Sequence, residues 1–450
     1  MPNSSSRRHF LGQAASLGIG LWSGGAGSRS GTAGPNDRLR FACIGLGAQG
    51  AADAAAVARL GDVVALCDID DQVLQQRGAE EPFKNARRFQ DFRRLFEDFT
   101  EGFDAFIVST PDHSHFPAAL LGMRLGKPCY CQTPLAHSVT EVRQLAALAQ
   151  ERKLATQLGN ASSILRSQKR AAQLISSGSL GAIREVHAWT KRPTWPLGPG
   201  PRPAAAPVPD HLNWDLFLGP APHRDFAPVA YHPGAWRGWW DFGSGALGDQ
   251  GCQLLDLPFR TLDLRDPTRI AAAHSGHDSE RYPAWSVIRY DFPQRGERAP
   301  VRVFWYDGGK RPSRELFLGR PVPASGVLIV GERDSLWVRE EPNLEFLLLH
   351  EGANPGPEPV ANESVEGLAE GLFDEWIQAI RGGPPASSDF ATLGGPLSES
   401  VLLGNLAVWV GQAPGQEGKI VEWDSASQSS PNLPELTPLI QRPIREGWRL

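Results

Sequence analysis

At 450 residues the chain is longer than one ordinary core organises, so two domains are expected. Its 45 Lys and Arg stand against 50 Asp and Glu, a net charge of −5, which offers no general field for nucleic acid or an anionic membrane. Nucleic acid is therefore excluded as an expected partner, and a soluble enzyme or binding protein remains.

In chain order, the first feature is "SSSRRHFLGQAASLGIGLW", where the paired Arg7 and Arg8 precede Phe10, Leu11 and a modest apolar run. This pattern is expected to be a twin-arginine (Tat) export signal, with residues 1–34 comprising the signal and a Gly/Ser spacer. The expectation carries the Tat translocase as a partner during export and the periplasm as destination. No Ala-x-Ala cleavage site follows, so removal and retention as a membrane tether both stay open.

From Arg40 to Ile44 a short β-favouring run leads into Gly45-x-Gly47-x-x-Gly50, an Ala-rich helical stretch to Leu60, and a second apolar run, Val63 to Cys67, closed by Asp68. Strand, glycine turn, helix and strand ending in an acid form the dinucleotide-binding βαβ unit. Gly45 permits the turn, Gly47 lets backbone N–H groups approach a pyrophosphate, and Gly50 lets helix and strand pack closely. Ala48 and Gln49 lie at the positive end of the helix, where phosphate is favoured. Asp68 suits ribose hydroxyls and repels a 2′-phosphate, so NAD is expected in preference to NADP.

The same rhythm continues with a strand at Ala105 to Ser109, a turn at Thr110 and Pro111, a helix through Leu125, a short strand at Pro128 to Cys131 and a helix after Ser138. Parallel sheets place ligands at the carboxyl ends of such strands, so Thr110, Pro111, His115 and Gln132 join the expected cofactor site. The boundaries expected are 35–155 for this domain and 156–450 for the next. Five cysteines (Cys43, Cys67, Cys129, Cys131 and Cys252) read as small buried hydrophobes, and Cys129-x-Cys131 lacks zinc-knuckle spacing, so no metal is expected.

Beyond the first domain, Arg184 to Thr190, Ser286 to Phe292, Val301 to Tyr306 and Gly326 to Val330 are β-rich runs. Helical stretches at Leu165 to Ser177, closed by Gly178, and Leu368 to Arg381 punctuate them. Pro193 to Pro209 reads as a loop over a cleft. Of the 14 Trp, many fall between Trp189 and Trp240, where they suit either cleft walls or an irregular core.

The order Ile44-Gly-Leu-Gly-Ala-Gln-Gly50, Cys67-Asp68, Thr110-Pro111-Asp-His-Ser-His115, Tyr130-Cys-Gln-Thr-Pro134 and Gly248-Asp249-Gln-Gly251-Cys-Gln-Leu-Leu-Asp256 resembles the Gfo/Idh/MocA family of nicotinamide-dependent sugar oxidoreductases, in an exported branch. The resemblance implies an α/β fold: an N-terminal Rossmann domain followed by an α+β domain with a large, open, mostly antiparallel sheet. It also implies a small carbohydrate-like substrate and a homodimer or homotetramer formed through the open sheet face.

In that family a Glu-Lys-Pro turn supplies a lysine, and an Asp-x-Gly-x-His-x-x-Asp helix supplies an aspartate and a histidine. Here the lysine position is Thr133 and the histidine position is Gln253, while Asp249 and Asp256 remain. Gln has no titratable group, and losing general acid–base help typically costs ~10²–10⁴ in rate. The expected catalytic positions are accordingly Asp249, Gln253, Thr133 and His115, with Asp249, Gln253 and Asp256 sharing one helix face. Lys191, Tyr231 and Trp236 are expected to contact substrate, together with Asp249 and Gln253. His113, His115, Asp241, Tyr231, His232 and Lys191 are candidate substitute bases. Three functions follow: an NAD-dependent sugar or polyol oxidoreductase, an NAD-dependent glycosidase, or a catalytically weakened protein that binds nucleotide and carbohydrate.

Overall fold

The first strand among the described residues, β1 (Arg40–Ile44), is buried along all but its first residue. A strand covered on both faces reads as a continuous apolar run, and such strands belong to parallel sheets flanked by helices. The computed structural model describes residues 38–195, 197–339, 346–350, 368–411 and 414–449. Arg7, Arg8 and the rest of the expected export signal lie outside the described residues.

β1 is joined by β2 (Asp62–Cys67), β3 (Arg87–Phe89), β4 (Ala105–Val108), β5 (Cys129–Cys131) and β6 (Thr156–Leu158) in a parallel sheet of order β3-β2-β1-β4-β5-β6. Helices α1 (Ala48–Leu60), α2 (Asp71–Gly78), α3 (Phe92–Phe99), α4 (Asp112–Arg124) and α5 (Val139–Arg152) make the crossovers. The order reverses between β1 and β4, which is where a doubly wound sheet opens its ligand crevice. The expected boundary after residue 155 falls one strand early, because β6 pairs with β5 and completes this sheet.

The second sheet contains β7 (Ile183–Trp189), β8 (Arg269–His274), β9 (Ser286–Phe292), β10 (Val301–Tyr306), β11 (Gly326–Gly331), β12 (Ser335–Arg339), β13 (Phe346–Leu349) and β14 (Val421–Glu422). Its order is β13-β12-β11-β7-β10-β9-β8-β14, antiparallel except for the β7–β10 pair. β9 alternates buried and half-buried residues, and β10 alternates likewise, so one face packs on the core and the other is open. Along the chain α6 (Arg166–Ser176) precedes β7, and α7 (Trp214–Leu218), α8 (Gly245–Leu254) and α9 (Asp256–Leu262) lie between β7 and β8. Gly178, at φ +73°, turns the chain away just past α6.

Between β13 and the edge strand β14 the chain returns to the first domain. α10 (Leu368–Ile380) lays Phe373 and Trp376 against Tyr130 and Phe41, with ring centroids 4.4 Å apart for Tyr130–Phe373 and 5.8 Å for Phe41–Trp376. Trp376 is fully buried and its indole N–H donates to the Ala155 carbonyl at 3.0 Å. α11 (Gly395–Trp409) then passes between the domains, where Ser398 Oγ accepts from the Leu135 amide at 3.0 Å. The dinucleotide domain is thus stabilised by a segment more than two hundred residues downstream. All five cysteines are free and buried.

Truncating Trp376 removes both the ring packing and the anchored indole, and a buried Trp→Ala change costs about 3–5 kcal/mol. Urea unfolding of Trp376→Ala is expected to show a loss of that order. A loss of only a few tenths would mean that α10 does not hold the first sheet.

Candidate active site

Gly45 has φ +85°, and a Cβ there would sit 2.6 Å from the Ser109 carbonyl oxygen. A Cβ on Gly50 would fall 2.0 Å from the Gly45 carbonyl oxygen, so helix and turn touch backbone to backbone. At Gly47, by contrast, a Cβ would meet nothing within 4 Å. Gly47 caps α1 with no side-chain hydrogen bond, which leaves the first-turn N–H groups of Ala48, Gln49 and Gly50 aimed into that open space. Two glycines are needed by the protein and the third leaves room for a ligand, as a pyrophosphate cradle requires.

That cradle opens into a cleft of about 910 Å³ bordered by both domains. Of the expected cofactor residues, Gly45, Gly47, Ala48, Gln49, Asp68, Thr110, Pro111, His115 and Gln132 all line it, and Gly50 lies directly behind. Asp68 accepts from the Leu46 amide at 2.7 Å and from the Asp70 amide at 3.0 Å, which ties the end of β2 to the glycine turn. Burial pushes its carboxyl up to about 6, and the two amides pull against that shift. At neutral pH it remains a carboxylate with lone pairs to spare for ribose hydroxyls. The residues present fit an NAD molecule.

Sequence patterns did not disclose the hub behind this wall. Asp53, on the buried face of α1, accepts from Gln49 Nε2 at 3.0 Å, Ser109 Oγ at 2.7 Å and Gln132 Nε2 at 2.9 Å. Burial raises its pKa, and the three donors oppose that. One carboxyl group thereby fixes side chains at the ends of β4 and β5 relative to α1. A lone acid in an otherwise Ala-rich helix was the available signal. The hub also explains Gln132: a glutamate there, as in the family's Glu-Lys-Pro turn, would press a second carboxylate against Asp53.

Thr133, next to Gln132, lines the cleft as expected, and so do Trp236, Asp249 and Gln253 from the second domain. Asp249 is the ion-pair partner of Arg237, Oδ1 to Nε at 2.9 Å, and its other oxygen accepts from Gln250 Nε2 at 2.8 Å. The Arg237 guanidinium in turn lies 4.3 Å from the centre of the Trp236 ring. Gln253 donates through Nε2 to the Gly159 carbonyl at 3.1 Å, and Ser162 Oγ lies 3.3 Å from its Oε1. Its amide therefore bridges the domain junction while bordering the cleft. Asp256 is buried, pairs with Arg260 at 3.0 Å, accepts from Asn160 at 2.8 Å and does not reach the cleft. Its role is structural.

Several expected roles are corrected by the geometry. The ring nitrogens of His115 face the Pro134 and Thr110 carbonyls, both at 2.8 Å, and burial lowers its pKa. A neutral imidazole has one N–H, so its remaining lone pair points at a carbonyl and is not presented to a substrate. His115 lines the cleft but joins its two loops in place of acting as a base. His113 is held the same way by Phe217 and Phe242, with its pKa lowered to about 4 by burial. Tyr231 is not at the cleft: it is buried against Trp239, 4.7 Å between ring centroids, and Phe242. Asp241 pairs with Arg224 outside the cleft. Lys191 is exposed and does not line the cleft, and its neighbour Arg192 lines it instead. His232 does border it.

The tryptophans divide between both expected roles. Trp195 and Trp236 are cleft walls, whereas Trp189, Trp214, Trp239 and Trp240 fill aromatic cores. Among the described residues of the 193–209 loop only Trp195 lines the cleft; Arg202 pairs with Glu280 and the Gly200 amide donates to Asp278, which anchor the loop farther along.

Residues 39–160 match the family described as "Oxidoreductase family, NAD-binding Rossmann fold", and residues 189–297 match "Oxidoreductase family, C-terminal alpha/beta domain". Among solved structures, an inositol dehydrogenase homolog complexed with NAD+ from Azotobacter vinelandii superposes with a TM-score of 0.61 at 17% identity, covering 86% of this chain and 98% of that one. UDP-N-acetylglucosamine 3-dehydrogenase GnnA from Acidithiobacillus ferrooxidans gives 0.55 at 18%, covering 82% and 98%. At such identities the likeness is one of fold. A "Glycosyl hydrolase family 109 protein" from Shewanella pealeana is 29% identical over 169 residues, 32% of this chain, and the chain spans only 37% of that relative's length.

Gly47→Ala and Gly50→Ala are expected to fail differently. Gly47→Ala should keep the wild-type melting temperature yet weaken NAD binding at least about tenfold, some 1.4 kcal/mol. Gly50→Ala should lower the melting temperature itself. Thermal melts and NAD fluorescence titrations check both, and normal NAD binding by Gly47→Ala would remove the cradle from this loop.

Proposed function

Because the chain belongs to the Gfo/Idh/MocA family of oxidoreductases, we propose that it is an exported NAD-dependent oxidoreductase of a sugar, polyol or related carbohydrate, with Thr133 and Gln253 at the family's lysine and histidine positions. The observation that carries this reading is one continuous cleft in which a complete nucleotide cradle meets a polar wall of Asp249, Arg237 and Gln253 beside Trp236. NAD, when bound there, supplies the hydride acceptor. The first-turn amides of α1 hold its phosphates and Asp68 its ribose. Asp53 orients Gln132 and Ser109 at the carboxyl ends of the neighbouring strands.

For the substrate, Trp236 offers an apolar face to a sugar ring, and the Asp249–Arg237 pair offers acceptors and donors to its hydroxyls. Thr133 and Gln253 add hydrogen-bonding groups that neither gain nor lose a proton at working pH. Export rests on the Arg7–Arg8 pattern, with the signal either removed or kept as a tether. Self-association into a dimer or tetramer is supported by the open face of β9 and β10.

A second reading, a catalytically weakened binder of nucleotide and carbohydrate, is favoured by the Gln253 amide being spent on Gly159 and Ser162. NAD-dependent glycoside cleavage is the third, supported by the partial likeness to the glycosyl hydrolase family 109 protein; it needs a base near the nicotinamide just as dehydrogenation does.

Purified protein is expected to carry or bind NAD, read as nucleotide released on denaturation or as heat on titration, and to reduce it, read by the fluorescence of the reduced nicotinamide, when offered a panel of sugars and polyols. Bound NAD that no member of the panel reduces would favour the second reading. Thr133→Lys with Gln253→His then separates a decayed site from a re-equipped one: a decayed site gains about 10² or more, whereas the proposed oxidoreductase gains little.

A further inference from the structure

We propose that the proton acceptor of this cleft is Asp112, which takes the substrate hydroxyl proton in place of the residues missing at 133 and 253. The inference rests on the oxidoreductase reading above and deepens it. Asp112 is the first residue of α4, directly after the Thr110–Pro111 turn, and it lines the cleft floor while only 4% exposed. It lines the same cleft as both substituted positions, Thr133 and Gln253. On one side it is an electrostatic neighbour of Cys131, two residues before Thr133; on the other, of Cys252, which precedes Gln253. A Cβ built on Gly248 of α8 would lie 3.8 Å from Asp112 Oδ2, ordinary contact distance, so the carboxyl lies close against α8; it is Ser244 Cβ, 2.2 Å from that Cβ, that keeps the position a glycine.

The other titratable groups lining the cleft are engaged by partners, neutral through burial, or at its ribose-side end. Asp68 and Asp70 are bonded to backbone amides at the end of β2, and Asp70 also pairs with His211. His232 is an electrostatic neighbour of Asp70 and His211, which places it at that same ribose-side end. His115 spends both nitrogens on carbonyls. Asp249 is the counter-ion of Arg237. The thiol of Cys67 is pushed far up by burial.

Asp112 is also tuned for the task. Burial raises its carboxyl to about 7, Arg237 and Ser244 work against that shift, and Asp249 reinforces it. The remaining titratable neighbours, Cys131, Cys252 and Tyr282, are all held neutral by burial. A base is most effective when its pKa lies near the working pH. In the step itself, the substrate's C–H hydride and its electron pair leave for the oxidised nicotinamide dinucleotide, the O–H bond breaks, and the proton moves to an Asp112 oxygen. The products are a carbonyl compound, reduced dinucleotide and the Asp112 carboxylic acid.

The test is single-turnover reduction of NAD on NAD-loaded protein, with whichever sugar or polyol of the panel reacts, followed across pH. The wild-type rate should rise through about pH 7 as Asp112 loses its proton. Asp112→Asn should lose about 100-fold or more with NAD affinity unchanged, and formate in the buffer should restore part of the rate to Asp112→Ala, which a purely structural aspartate would not allow. Independently of turnover, wild-type minus Asp112→Asn infrared spectra should contain one carboxyl band titrating near that pH. An undiminished rate in Asp112→Asn, a flat wild-type profile or no such band each overturns the assignment. If the wild type reduces no NAD at all, the oxidoreductase reading falls first and this inference with it.

Discussion

A helix and a glycine turn that approach closer than any side chain allows set the position of everything in the cleft. With a Cβ on Gly50 2.0 Å from the Gly45 carbonyl oxygen, the N-terminus of α1 has one place to be. From there Asp53 carries the constraint outward, because its single carboxyl group grips Ser109 and Gln132 at the ends of two other strands. The nucleotide half is thus over-determined, and α10 reinforces it from the far end of the chain through Trp376.

The substrate half is built on different terms. Where the family's pattern has a lysine and a histidine, this chain has Thr133 and an amide already engaged at the domain junction. The charge that remains lies in the Arg237–Asp249 pair and in Asp112, an electrostatic neighbour of both. A neutral pair of substitutions facing a buried carboxyl group is electrostatically coherent: a lysine ammonium beside Asp112 would favour its ionised form and lower its pKa. Gln132 beside Asp53 shows the same logic, since a glutamate there would bring like charges together.

Much of this was legible in the sequence, and what was not has physical causes. The glycine spacing, the acid closing β2 and the strand at Ala105 identified the nucleotide unit because each requirement is local to a few residues. The main strands of the second sheet were legible from their β-branched and aromatic runs. Tyr231 and Lys191 were misplaced because loop residues have no periodicity, so nothing in the sequence says which way their side chains turn. His113 and His115 looked like bases because sequence shows a titratable group but not the carbonyls that surround it. Asp112 was hidden by an ordinary alternative, since an acid in the first turn of a helix complements the dipole without any further role. The boundary after 155 missed β6 because three residues are too few for a pattern.

The central claim is that an intact NAD site survives opposite an altered substrate wall, and its selectivity is fixed by the carboxylate at the end of β2. Calorimetric titration of the protein with NAD and with NADP, beside Asp68→Ala, measures that directly. NAD should bind at least about tenfold tighter than NADP, a difference of some 1.4 kcal/mol, and Asp68→Ala should erase most of the preference. Equal binding of both nucleotides by the wild type, or binding of neither, would contradict it.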